Sequence, residues 1–242
     1  MRYGRGKGIL IIFFLILSVL FLILLGTEIF SIHKITILGN QNIEYNEIVK
    51  LSGIELGENI FKLDLKRVEE NLKSNPYIAV EKIERELPDT VILHINEREP
   101  RAVIEYMGVY IVMDTHGYIL ELRNDLGGIS YPIITGMRVT AFLVGQRIRS
   151  SDPYQVRILD EVLSPLYTHE VNSMISEINI EDPANIFCIS REGILVKIGQ
   201  ATDMDKKILL MKEVLGQLSK EGITNGVLDV TAGNCASYKP QE

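Results

Sequence analysis

Cysteine is scarce in this chain, with only Cys188 and Cys235 among 242 residues. There is no CxxC pair and no Cys/His cluster, so the sequence suggests no zinc site. The four histidines, His33, His94, His116 and His169, are scattered over strands, a turn and a loop, none with a metal-ligand pattern around it. GxSxG, HExxH, Walker and GxGxxG motifs are absent, which removes the common signatures of acyl transfer, zinc proteolysis and nucleotide binding. Acidic residues are missing from the first 27 positions, Glu28 being the first.

Charge of either sign is missing from Gly8 to Thr27, GILIIFFLILSVLFLILLGT, where only Ser18 and Thr27 have polar side chains. As a helix this run spans roughly 30 Å, the thickness of a bilayer's hydrocarbon core. Residues 8–27 are therefore expected to form a transmembrane helix that contacts lipid. Residues 1–7 contain Arg2, Arg5 and Lys7, and the positive-inside rule makes them a cytoplasmic tail, with all later residues extracytoplasmic. A cleaved signal peptide would have a shorter apolar core and a small-x-small end, which Gly26-Thr27-Glu28 does not supply. Without an intramembrane charge or a GxxxG face, neither conduction nor tight self-pairing through this helix is indicated.

All 32 acids but only 22 of the 25 bases lie beyond residue 27, an excess of about ten negative charges. Such a surface repels nucleic acid and suits protein partners. The extracytoplasmic compartment permits a disulfide, but two distant cysteines read equally as small buried apolar residues.

From Phe30 to Leu38 alternation predicts a strand, with Ile35 and Ile37 on one face. Ile48 and Leu51 mark a helix that Gly53 would cap. Asp64 is placed to cap a second helix with the stripe Leu65, Val68 and Leu72, which Asn75-Pro76 stops. Strands from Tyr77 to Leu87 and from Thr90 to Glu97 follow, joined by a Pro88-Asp89 turn. The order is β-α-α-β-β, two helices on one face of a three-stranded sheet.

LGN at 38–40, GENIF at 57–61, NPYI at 75–78, ELPDT at 86–90 and INEREP at 95–100 together resemble a POTRA module of the FtsQ/DivIB cell-division family. In that family an aromatic follows the Asn/Pro pair, here Tyr77, and an R-x-x-P-D-T turn is supplied by Arg85 to Thr90. The resemblance implies an α+β protein with an N-terminal transmembrane helix, a POTRA domain over 28–99 and a second mixed α/β domain over 100–233. The second domain is expected to have an extended antiparallel sheet, and 234–242 to be an edge strand or tail.

Within the second domain, Asp114 to Gly117 reads as a hairpin turn between Tyr110–Met113 and Tyr118–Leu122. YPIITG at 131–136 and the segment from Gly145 to Ile148 also resemble the family. Ser151-Asp152-Pro153 opens a helix whose apolar face is Val156, Leu159, Val162, Leu163 and Leu166. Three strands follow, Ile175–Ile180, Ile186–Ser190 and Ile194–Ile198. A helix beginning near Asp203 has the stripe Met204, Ile208, Met211, Leu215 and Leu218 and ends at Gly222. The last strand, Val227 to Val230, has Asp229 where the family has Asp-Leu-Arg but then departs from it, leaving the register open.

Asn234 to Pro240 reads as a short final strand or a frayed end. At a sheet edge it would accept a strand from another chain. In the family this region binds FtsB/DivIC-like and FtsL-like coiled-coil partners. The resemblance therefore implies partner-binding residues Ala236, Ser237 and Tyr238, with Tyr238 as the aromatic anchor.

No catalytic, cofactor or metal residues are expected. His116 beside Asp114 could form an acid/base pair, but a tight turn explains both. Glu97 and Glu99 flank Arg98, and alternate strand residues point to opposite faces. Asp203 and Asp205 suit a helix N-terminus. The reading is a non-enzymatic membrane scaffold of the division machinery, enriched at the septum and linking other divisome membrane proteins through extracytoplasmic contacts. The alternatives are a membrane-anchored enzyme acting on cell-wall polymer and a POTRA-type polypeptide-transport factor.

Overall fold

A computed structural model describes residues 10–19, 28–128 and 130–241. The basic tail 1–7, and residues 8, 9 and 20–27 of the expected anchor, lie outside the described residues. Residues 10–19 form a helix, α1, with exposed side chains; no helix among the described residues is long and apolar enough to cross a membrane. The chain divides into two compact units, the second beginning at Arg98.

The first unit runs β1 (Lys34–Leu38), α2 (Tyr45–Ser52), α3 (Leu65–Leu72), β2 (Ile78–Glu86), β3 (Thr90–Glu97). Its sheet order is β1-β3-β2, with β3 parallel to β1 and antiparallel to β2. The central strand is the most apolar: Val91, Leu93 and Ile95 are buried against Ile48, Val68 and Leu72 of the helices. Asp64 caps α3 by accepting from the backbone N–H groups of Lys66 and Arg67, at 3.0 and 3.2 Å. Arg85 on β2 holds the loop before α3, donating to the carbonyls of Ile60 and Leu63 at 2.7 and 2.6 Å.

The second unit contains β4 (Ala102–Tyr106), β5 (Val109–Met113), β6 (Ile119–Arg123), β7 (Ile133–Thr135), β8 (Val139–Ala141), β9 (Arg149–Ser150) and α4 (Pro153–Thr168). These are followed by β10 (Ile175–Asn179), β11 (Ile186–Ser190), β12 (Leu195–Gly199), α5 (Met204–Lys220), β13 (Val227–Asp229) and β14 (Ser237–Lys239). Nine strands form one sheet in the order β14-β13-β12-β11-β10-β7-β4-β5-β6, and β8 pairs with β9 in a separate ribbon.

The expected antiparallel sheet is instead mixed. β4 with β7, β7 with β10, and β12 with β13 are parallel. Parallel neighbours need a crossover. The β5–β6 hairpin, the stretch through α4, and α5 supply the three.

One residue from each strand forms a row that is buried in the seven inner strands, with Leu122 of β6 exposed at one end and Tyr238 of β14 half-buried at the other. Register places Leu122, Ile111, Ile104, Ile134, Ile178, Cys188, Val196, Leu228 and Tyr238 in a single row across all nine strands. Against this face pack Ile158, Leu159, Val162, Leu163 and Leu166 of α4 and the whole expected stripe of α5. The helices bury one face of the sheet, which explains the alternation in β11 and β12, while β10 breaks it at the register shift between Ile175 and Glu177. α4 begins on Asp152, which accepts from the Tyr154 N–H at 3.0 Å, with Pro153 in the first turn. Val156, expected on the apolar face, is only half-buried, while Gln155 is fully buried in its stead.

Candidate interaction edge

A sheet of nine strands has two open sides, β6 and β14. The β6 side is partly closed. Gly145 donates its N–H to the Ile119 carbonyl at 2.8 Å, Ile119 donates to the Gln146 carbonyl at 3.0 Å, and Ile148 donates to the Gly117 carbonyl at 2.8 Å. β14 pairs only with β13 among the described residues. Alternate main-chain N–H and C=O groups of an edge strand point outward and are available to another chain.

The register, left open by Val230 and Thr231, places Leu228 opposite Tyr238 and Asp229 between Lys197 and Ser237. Asp229 accepts from the Thr231 hydroxyl and N–H at 2.7 and 3.0 Å, and these bonds hold its carboxyl below the usual range. Tyr238 is half-buried at the end of the apolar row, and its hydroxyl donates to the Asn225 carbonyl at 2.5 Å. Its ring lies over Gly226, where a Cβ would meet ring carbon and hydroxyl at 2.6 Å; the backbone there has φ +141. Asn225 in turn donates its amide to the Gln241 carbonyl at 3.0 Å. Of the three predicted site residues, Ala236 and Tyr238 thus pack on their own core, and only Ser237 is exposed. The free chemistry of this edge is main-chain chemistry.

One of the two outer strands of the first unit, β2, differs. It carries exposed Glu81, Lys82 and Glu86 and has a register irregularity between Val80 and Lys82. Edge charges and bulges both discourage strand pairing.

The titratable residues singled out in the sequence are held apart. Asp114 accepts from the N–H groups of His116 and Tyr118 at 2.9 and 2.8 Å. Its other oxygen lies 3.1 Å from Nε of Arg98, whose guanidinium covers the Tyr118 ring at 4.0 Å. Burial pushes the Asp114 carboxyl up, against the opposing pull of the Tyr118 N–H, Arg98 and His116. The His116 imidazole turns to Asp160 at 2.8 Å, so the turn is no acid/base pair.

Glu97 receives the N–H groups of Gln41, Asn42 and Ile43 and the Asn42 amide, all within 2.6–3.1 Å. Desolvation raises its carboxyl, but these bonds outweigh it and the net shift is downward. Glu99 pairs with Arg101. Asp205 pairs with His169 at 2.8 Å, while Asp203 adopts φ +52, caps nothing with its side chain and pairs with Lys206. Among the described residues no group of three or more His, Cys, Asp and Glu is placed to hold a metal. Cys188 is buried and Cys235 exposed, and both are free thiols; of the two open readings, a disulfide is not formed and that of buried apolar residues fits Cys188 alone.

Periodicity gave no sign of two buried polar residues. Gln155 accepts from the Arg138 N–H and the Ser150 hydroxyl and donates to the carbonyls of Gly136 and Ile180, at 2.8–3.0 Å. Lys207 is 3% exposed and donates to the carbonyls of Ile198 and Gln200 at 3.0 and 2.8 Å. Gln155 serves segments beside the sheet and Lys207 the end of β12 and the residue after it, and only the folded chain brings those carbonyls to them.

Residues 30–98 match the FtsQ-type POTRA domain. The chain is 30% identical over 217 residues to the cell division protein DivIB of Clostridium tetani, a match covering 87% of this chain and 81% of that one. To DivIB of Clostridium botulinum strain Hall it is 27% identical over 235 residues, 97% of this chain and 91% of the relative. To the cell division protein FtsQ of Syntrophotalea carbinolica it is 29% identical over 199 residues, 81% of this chain and 68% of that protein.

Proposed function

The chain belongs to the FtsQ/DivIB family of cell-division proteins, and on that premise we propose that it is a non-enzymatic scaffold that captures partner chains by strand addition at β14. Residues 8–27 hold it in the cell membrane, with residues 1–7 cytoplasmic and both folded units outside, concentrated at the septum. The partners are the FtsB/DivIC-like and FtsL-like coiled-coil proteins. Tethering to one bilayer raises the effective concentration of each partner without any new contact.

The observation that carries this reading is the open main-chain edge of β14, held in place by Tyr238 on Gly226 and Asn225. Tyr238 acts here by fixing the edge, and the partner's backbone supplies the pairing. A silent chemistry is supported by the way Asp114, Glu97 and Asp205 each bind a separate structural neighbour.

The test is capture of purified DivIC-like and FtsL-like outer segments by the full chain in nanodiscs. Deleting residues 234–242 lowers capture more than about tenfold, the effect expected of a central binding element. Gly226→Ala, which crowds the Tyr238 ring, weakens it in the same direction. Undiminished capture by the deletion variant, with the remaining domain folded, refutes the proposal. In cells, depletion yields filaments with unfinished septa.

A further inference from the structure

The second unit carries an apolar, basic knob on the side of the sheet away from β14. Leu143, Val144, Gly145 and Gln146 form a turn, closed by the Gln146 N–H on the Leu143 carbonyl at 3.0 Å, with Gly145 at φ +80 as a type II turn requires. Main-chain bonds from Gly145 to Ile119 and from Ile119 to Gln146 pin this turn to β6. Ile148 and Val139, both buried, anchor its two flanks. Leu143 and Val144 are nevertheless 59% and 40% exposed. Phe142 packs edge-on against Tyr106 with ring centroids 5.8 Å apart, bringing in the β4–β5 turn, whose Met107 is 86% exposed. A well-fixed turn that presents bare aliphatic side chains marks a contact surface.

Charge narrows the occupant. Between Asp125 and Asp152 the chain has no acid but has Arg138, Arg147 and Arg149, all exposed. These three form no ion pair among the described residues, although acids outnumber bases 32 to 25 in the chain. Asp152, the next acid along the chain, accepts from the Tyr154 N–H, and Asp160 takes His116 and the Ser164 hydroxyl. Arg147 also donates to the His116 carbonyl at 2.7 Å, which steadies its stem. Arg149 lies opposite Ala141 on the β8–β9 ribbon, whose strands flank the turn.

We propose that the Leu143–Val144 turn, with Met107 and the three arginines, is a docking site for an acid-flanked amphipathic segment of another protein. Aliphatic anchors of that segment cover Leu143, Val144 and Met107, and its carboxylates meet Arg138, Arg147 and Arg149. The site does not involve β14 and stands without the strand-addition reading.

The test uses the full chain in nanodiscs of neutral lipid. The probe is a synthetic amphipathic helix with leucines on one face and glutamates along both flanks. Saturable binding is expected. The pair Leu143→Ser/Val144→Ser and the pair Arg138→Gln/Arg149→Gln each weaken it about tenfold, with the arginine pair also flattening its salt dependence. Deletion of 234–242 leaves probe binding unchanged, which separates this site from the edge of β14. Equal binding of a probe with glutamine in place of glutamate overturns the proposal. So does loss of binding on deleting 234–242, or capture by phosphatidylglycerol vesicles through these residues in preference to the helix.

Discussion

Arg98 and Asp114 form the most secluded ion pair among the described residues, Nε to carboxylate oxygen at 3.1 Å, with 17% of one side chain and 5% of the other exposed. The pair ties the first residue of the second unit to the β5–β6 turn. Asp114 also receives the N–H groups of His116 and Tyr118, so one carboxylate shapes the turn and fixes the chain that enters it.

Asp114→Ala removes the acceptor of the His116 and Tyr118 N–H groups together with the carboxylate beside Arg98. Loss of one member of a buried pair costs about 3–5 kcal/mol, readable by chemical denaturation of the full chain. The pH dependence follows from the raised carboxyl. The folded state holds its proton more tightly than the unfolded state, whose value is near the ordinary 3.8. The stability this contributes is complete below that value and disappears as pH rises through the higher folded value. Titrating the wild type against Asp114→Asn isolates this slope.

Glu97 has the opposite sign. Its carboxyl is lowered from the ordinary 4.5, the bonds from residues 41–43 outweighing desolvation. The contribution is present above 4.5 and lost as pH falls through the depressed folded value. Glu97→Gln should cost about 1 kcal/mol at neutral pH, discounted for its partial exposure, and nothing below the folded value. Hydrogen exchange at Gln41 to Ile43 reports the same loss locally.

Gln155→Leu keeps the side chain's bulk but strands the Arg138 N–H, the Ser150 hydroxyl and the carbonyls of Gly136 and Ile180. Unsatisfied buried groups cost about 1–3 kcal/mol each when isolated. Partial hydration of the Ser150 end brings the expected total to about 2–4 kcal/mol, measured as a shift in denaturant midpoint at constant slope.

Thiol labelling separates the two cysteines. Burial against the helices pushes the Cys188 thiol up to about 12, and its sulfur rests 3.7 Å from that of Met211. Cys235 is exposed. The native protein should take up one equivalent of maleimide promptly and the unfolded protein two; two in the native state would show that the row of residues through Cys188 opens readily.

Features written in local chemistry could be read from the sequence. Asp64 and Asp152 cap helices because a carboxylate two or three residues before free N–H groups needs no distant partner. The stripe from Met204 to Leu218 is a consequence of helical period alone. What lay beyond reach depends on distant partners. Nothing near β7 announces parallel neighbours on both sides, because register is chosen by strands far along the chain. Gln155 and Lys207 resemble solvent-facing residues until the carbonyls they serve are brought to them. At the candidate edge, the existence of a last strand was legible and its orientation was not. Tyr238 resembles an exposed anchor by residue type, but Gly226 leaves a space that its ring fills.

The parallel joints at β7 also bear on how the second unit holds together. β4, β5 and β6 fold back on one another within residues 102–123 as antiparallel neighbours. The three-residue strand β7 touches this group and β10, yet its ladder partners, Val103 on one side and Glu177 on the other, are remote in sequence. β7 is thus the strand through which the β4–β6 flank and the β10–β14 flank share one hydrogen-bonded ladder, so Ile133 to Thr135 carry the continuity of the whole sheet.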